Sequence, residues 1–134
     1  MKNLRSILVA LAVLLMATAA HAQQKLTATV PFNFVAGDHT YPAGDYTIGS
    51  DGVVLKITNA EKTEVMVSQA CESTKPSANT KLVFDSMGGN YFLRQIWVAG
   101  HSRGRELPRS HAEIKLAENH EKSESVIVAA NITR

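Results

Sequence analysis

The sequence predicts an all-β domain: an antiparallel β-sandwich or small barrel of about seven strands, with one short helix near the C-terminus. Three observations predict it. Apolar and polar residues alternate at period two along most of the chain, the pattern of a strand with one buried face. Clusters of Gly, Pro, Asn, Asp and Ser punctuate that alternation every ~8–12 residues. No strand–helix–strand alternation occurs, which excludes a parallel nucleotide-binding sheet.

The elements follow in order. Leu26, Ala28, Val30, Phe32 and Phe34 alternate with Thr27, Thr29, Pro31 and Asn33, predicting one strand. Pro31 lacks an N–H and so suits an edge or a bulge. Gly37-Asp38-His39 and Pro42-Ala43-Gly44-Asp45 read as turns, the second feeding a strand at Tyr46 to Ile48, and Ser50-Asp51-Gly52 turns again. Val53 to Ile57 and Glu64 to Ser68 flank a polar loop as a hairpin. Glu72 to Thr80 has almost nothing to bury and reads as a loop.

Lys81 to Asp85 and Tyr91 to Ala99 form the strongest hairpin, with Gly88-Gly89 supplying the positive φ of a tight turn. Tyr91 to Ala99 is apolar on both faces, as a central strand is. Its alternation places Tyr91 and Trp97 on one face, as core. The same register sets Asp85 diagonally opposite Arg94, an ion pair across the hairpin. Ser110 and Glu113 match a capping box in which each side chain caps the other's backbone N–H, so the helix begins near Ser110 and runs to about His120. Val126, Val128, Ala130 and Ile132 then predict one last buried strand.

Residues 1–22 read as a cleavable secretory signal. Lys2 and Arg5 precede an apolar stretch over 7–20, and Ala20-His21-Ala22 gives the small-x-small cleavage pattern. The stretch is shorter than the ~20 residues a membrane-spanning helix needs. Residues 23–134 form a single mostly-β domain, exported to the periplasm or the medium, with no membrane span once the signal is cleaved. The chain has 14 Lys+Arg and 12 Asp+Glu. Lys2 and Arg5 leave with the signal, so the remainder is formally neutral. A neutral domain has no electrostatic reason to seek nucleic acid or anionic membrane. Cys71 is the single cysteine. A lone cysteine excludes an internal disulfide; it is either buried, packing as a small hydrophobe, or available for an intermolecular bridge, and burial is the favoured reading.

Chemistry-bearing patterns are sparse. His39, His101, His111 and His120 are scattered, with no pair at i, i+4 and no second Cys, so no metal is implied and no cofactor either. Gly100-His101-Ser102-Arg103-Gly104 matches the Gly-x-Ser-x-Gly string of a nucleophile elbow. That elbow requires a strand, a strained turn and an immediate helix in an α/β sheet, a context missing here. The densest polar stretch contains His101, Arg103, Arg105 and Glu106. It leaves the most apolar strand, where rigid scaffolds place binding residues. Arginine presents a planar fork of donors to carboxylate, phosphate or sulfate. These four residues are the candidate anion site. The competing reading is internal: Arg103 and Arg105 pair with Glu106, Asp85 or Glu113.

The chain also resembles a family of small exported proteins of unknown function, abundant in soil bacteria of the acidobacterial group. The likeness rests on Val30-Pro31-Phe32-Asn33-Phe34, Pro42-Ala43-Gly44-Asp45-Tyr46-Thr47, Lys81-Leu82-Val83-Phe84, Tyr91-Phe92-Leu93 and Gly104-Arg105-Glu106-Leu107-Pro108. It implies export and a shared fold, and no activity. The reading of the whole is a non-enzymatic binding or interaction module for a protein, an anionic small molecule or a glycan. The alternatives are a small extracytoplasmic hydrolase using Ser102 or a non-local His/Glu set, and a purely structural envelope component.

Overall fold

A computed structural model describes Asn3 and residues 25–133 of the chain. The expected signal over 1–22 lies outside the described residues except for Asn3. Residues 25–133 form a two-sheet, all-β sandwich with one helix. Its strands are β1 (Lys25–Val30), β2 (Phe34–Ala36), β3 (His39–Tyr41), β4 (Gly44–Asp51), β5 (Val54–Thr58), β6 (Thr63–Val67), β7 (Gln69–Glu72), β8 (Lys81–Met87), β9 (Asn90–Trp97), β10 (Arg103–Glu106), β11 (Ser123–Ala129) and β12 (Asn131–Thr133). Helix α1 (His111–Glu118) lies between β10 and β11.

The first sheet has the order β12-β1-β4-β5-β6. The second runs β11-β8-β9-β10-β7, with the β2–β3 hairpin joined to it by a parallel pairing of Val35 with Phe92. Among the described residues both sheets keep free edges and close no barrel, so the small-barrel alternative falls away. The core between them is built from Leu26, Val30, Phe34, Tyr41, Tyr46, Ile48, Leu55, Ile57, Leu82, Phe84, Leu93 and Ile96. Phe34 touches Tyr41, Tyr46 and Phe84 with ring centroids 5.1–5.4 Å apart. The outer face of the first sheet is wet. Asn131, Thr27, Thr47, Thr58 and Thr63 are register partners in one row across all five strands.

The described residues form twelve strands where about seven were expected, and two long runs are divided. The alternation over 26–34 breaks after Val30: Pro31 cannot donate to a ladder, and Phe34 resumes in the other sheet. The final run breaks at Ala130, whose N–H bonds Thr80 O, so β11 and β12 also belong to different sheets. Each division stitches the sheets together and closes one side of the core.

The β8–β9 hairpin has the expected tip. Met87 pairs with Asn90, and Gly88 and Gly89 take φ 58° and 79°, as a type I′ turn requires. Further along, Val83 pairs with Gln95 but Phe84 with Leu93, so Arg94 is an extra residue, a β-bulge. The bulge inverts the alternation. Leu93 and Ile96 face the core opposite Phe84 and Leu82, while Phe92 and Trp97 face the other way. Tyr91 and Trp97 therefore do not share a face. Tyr91 stacks on Phe32, with centroids 3.9 Å apart.

The bulge aims Arg94 out of the ladder. Its Nε donates to Asp85 Oδ2 at 2.9 Å, Nη1 to Leu107 O at 3.0 Å, and Nη2 to Glu113 Oε1. Glu113 is buried, so this cluster fastens α1 to the sheet. The expected capping box forms by half. Ser110 Oγ accepts from Glu113 N at 3.2 Å, but the Glu113 carboxylate turns to Arg94. Asp38 Oδ1 accepts instead from His111 N at 3.2 Å, so the β2–β3 hairpin tip completes the cap.

Candidate functional site

Residues 98–102 join the apolar strand β9 to β10. His101 N bonds Val98 O at 3.2 Å, closing a turn with Gly100 in its third position at φ 84°. The stretch expected to be a free loop braces this turn. Ser73 N donates to Ser102 O, Ser77 N to His101 O, and Gly100 N to Ser77 O, all at 2.8–2.9 Å. Gln69–Glu72 of that neighbourhood is a strand, β7, paired with the whole of β10.

Alternation along β10 then sorts three of the four candidate residues, His101 lying in the turn before it. Arg105, the register partner of Ile96, faces inward between the sheets, and Arg103 lies on the same side but extends into solvent. Gly104 and Glu106 point outward. A cavity of about 280 Å³ opens at this end of the sandwich, lined by Leu26, Ile48, Leu55, Ile96 and Val98, with Ser50 and Gly104. His101, Arg103 and Arg105 also line it. Three of the four residues singled out in the sequence thus converge on one cavity. Glu106 lies outside it, on the outer face, where Gln95 Nε2 and Gln69 Nε2 approach it at 3.4 and 3.5 Å.

The two arginines are held differently, and neither by the partners expected from sequence. Asp85 and Glu113 belong to Arg94. Arg105 is half-buried: Nε donates to Ser68 Oγ at 3.0 Å and Nη2 to Ser68 O at 2.7 Å. Ser68 is buried, and these bonds satisfy a carbonyl where β6 gives way to β7. Arg103 Nη2 meets Glu72 Oε1 at 2.8 Å, with both side chains 70% exposed. An ion pair that open to water is weak and exchanges readily. His101 is exposed, and among the described residues its side chain has no hydrogen-bond partner.

Gly104 makes the geometry possible. A Cβ there would lie 2.7 Å from Ile96 O and 2.8 Å from the Trp97 ring. The indole lies against the outer side of β10, its Nε1–H bonded to Gln95 Oε1 at 3.0 Å. The absence of a side chain at Gly104 leaves room for the Trp97 ring against β10. Cys71, the register partner of Gly104, is half-buried. Burial pushes its thiol pKa up, and the Glu106 carboxylate pushes the same way.

The Gly100–Gly104 string sits in a turn between antiparallel strands, with α1 beginning only at His111. Ser102 therefore occupies no nucleophile elbow. Among the described residues no three His, Cys, Asp or Glu side chains converge as a metal would require. The aliphatic walls contributed by the first sheet were the part of the site hidden from sequence reading. Leu26, Ile48 and Leu55 look like ordinary core positions, and only the sheet pairing brings them under β10. No protein-family model, curated protein or solved structure matches the chain.

Proposed function

We propose that this chain is an exported, non-enzymatic binding domain that holds an anionic small molecule at the mouth of the inter-sheet cavity. One observation carries the reading: His101, Arg103 and Arg105 stand on one lip of a concave site in a domain that is formally neutral as a whole. Clefts lined by one sign of charge focus the field and concentrate a counter-charged ligand. Arg105 is immobilised by Ser68 before any ligand arrives, so little rotamer entropy is lost on binding. Arg103 can trade its solvent-exposed partner Glu72 for a ligand.

The test is thermal unfolding in phosphate, sulfate, acetate and acidic sugars against chloride at matched ionic strength. A ligand at a hundred times its Kd stabilises the folded state by about 2.7 kcal/mol. The informative variant is the double substitution His101→Ala with Arg103→Ala, since both side chains are exposed and the fold does not depend on them. Arg105→Ala is the wrong choice, because it also unsatisfies Ser68. An anion that stabilises the wild type and not the double variant supports the reading. If no anion stabilises the wild type beyond chloride, the site is not an anion site.

A further inference from the structure

The cavity behind the basic lip is apolar in a way an inorganic anion cannot use. Leu26, Ile48, Leu55 and Ile96 form its walls and are each nearly fully buried, and half-buried Val98 adds to them. Every cationic group lies on the β9–β10 side. From the opposite sheet only Ser50 offers a polar side chain. A phosphate or sulfate bound at the lip would make no use of these aliphatic walls. A neutral apolar molecule would fill the space between the walls and engage neither guanidinium group. Ligand sites generally combine apolar walls with a few polar groups that fix orientation, and here the two kinds of group are separated along one axis.

We infer that the ligand is a small amphiphilic carboxylate, with its head at Arg103, Arg105 and His101 and a short alkyl or aryl body between the sheets. This rests on the anion-site reading above and specifies it. The volume limits the body. About 280 Å³ is roughly nine water molecules' share of liquid. That suits a short chain and leaves no room for a full lipid tail. The head has a defined seat. Ser68 takes Nε and Nη2 of Arg105, and among the described residues Nη1 has no hydrogen-bond partner. Arg103, released from Glu72, supplies a planar fork that matches a carboxylate.

Calorimetric titration of the unaltered chain with acetate, butyrate, hexanoate, octanoate and decanoate, each below its micelle threshold, tests this. Each methylene buried should tighten Kd by about fourfold, and the gain should stop within the series once the cavity is full. Octanol should bind at least tenfold more weakly than octanoate. His101→Ala with Arg103→Ala should bring octanoate down to the level of octanol. Val98→Phe, which fills the half-buried wall, should abolish the chain-length dependence and leave any response to acetate intact. Two results overturn the inference in distinguishable ways. If acetate or phosphate binds as tightly as octanoate, the apolar body is wrong and the anion site stands. If octanol matches octanoate, the anion reading itself fails. Absence of binding across the whole series overturns the inference, and the anion reading then stands only if phosphate, sulfate or an acidic sugar stabilises the fold in the thermal test above.

Discussion

Replacing Arg94 with Met tests whether one bulged residue holds the helix onto the sheet. The side chain is 11% exposed, that of Glu113 3%, and that of Asp85 19%. Methionine keeps most of the apolar stem, so the change removes charge and hydrogen bonds more than volume. Asp85 can rehydrate from its exposed side. Glu113 cannot, and is left as a buried carboxylate with no cation. Removing one partner of a buried ion pair costs about 3–5 kcal/mol. Loss of the donor to Leu107 O falls within that range. For a domain of about 110 residues this corresponds to a melting-temperature drop of roughly 12–20 °C. The assay is urea unfolding followed by far-ultraviolet circular dichroism, with Arg94→Met, Glu113→Gln and the double variant compared. Glutamine carries no charge, so the double variant should recover part of the loss, with a coupling energy near the upper end of the usual ~0.5–3 kcal/mol. A cost for Arg94→Met under ~1 kcal/mol, the size of an exposed surface pair, refutes the reasoning. So does strict additivity of the two single variants.

Three further outcomes are expected. Gly104→Ala should destabilise by about 1–3 kcal/mol or more, because its Cβ meets a backbone carbonyl and the Trp97 ring; a neutral or stabilising result in the same urea assay would show that β10 can shift. Lys62 and Tyr41 hydrogen-bond Glu64 and hold its carboxyl below the ordinary value of 4.5. That stabilisation is complete above 4.5 and is lost as pH falls through the lowered value, so the gap in melting temperature between wild type and Glu64→Gln should close in acid; a gap unchanged by pH would contradict it. Burial raises the pKa of Cys71, so the folded protein should react with a maleimide more slowly than free cysteine at neutral pH, and equal rates would count against the half-buried setting.

The residues by themselves determined the class of the fold, because alternation and turn chemistry are local. Gly88-Gly89 specifies a tight hairpin wherever that hairpin packs, and Ser110 caps the N–H of Glu113 within its own helix. The polar segment from His101 to Glu106 was also visible as a binding candidate, since its composition departs from everything around it. Long-range pairing decided the rest. Strands of three or four residues, such as β2, β7, β10 and β12, carry too little alternation to be seen and exist through the ladders their partners offer. A bulge is the mismatch between two strands and belongs to neither sequence, yet the one at Arg94 reversed the face of Trp97 and gave Glu113 its partner. Which sheet receives the chain after Val30 or Ala130 depends on where the remaining backbone donors find acceptors. The cavity has the same origin. Its charged lip lies in one continuous stretch of chain, whereas its walls come from four strands separated in sequence, so only the packing of the two sheets creates it.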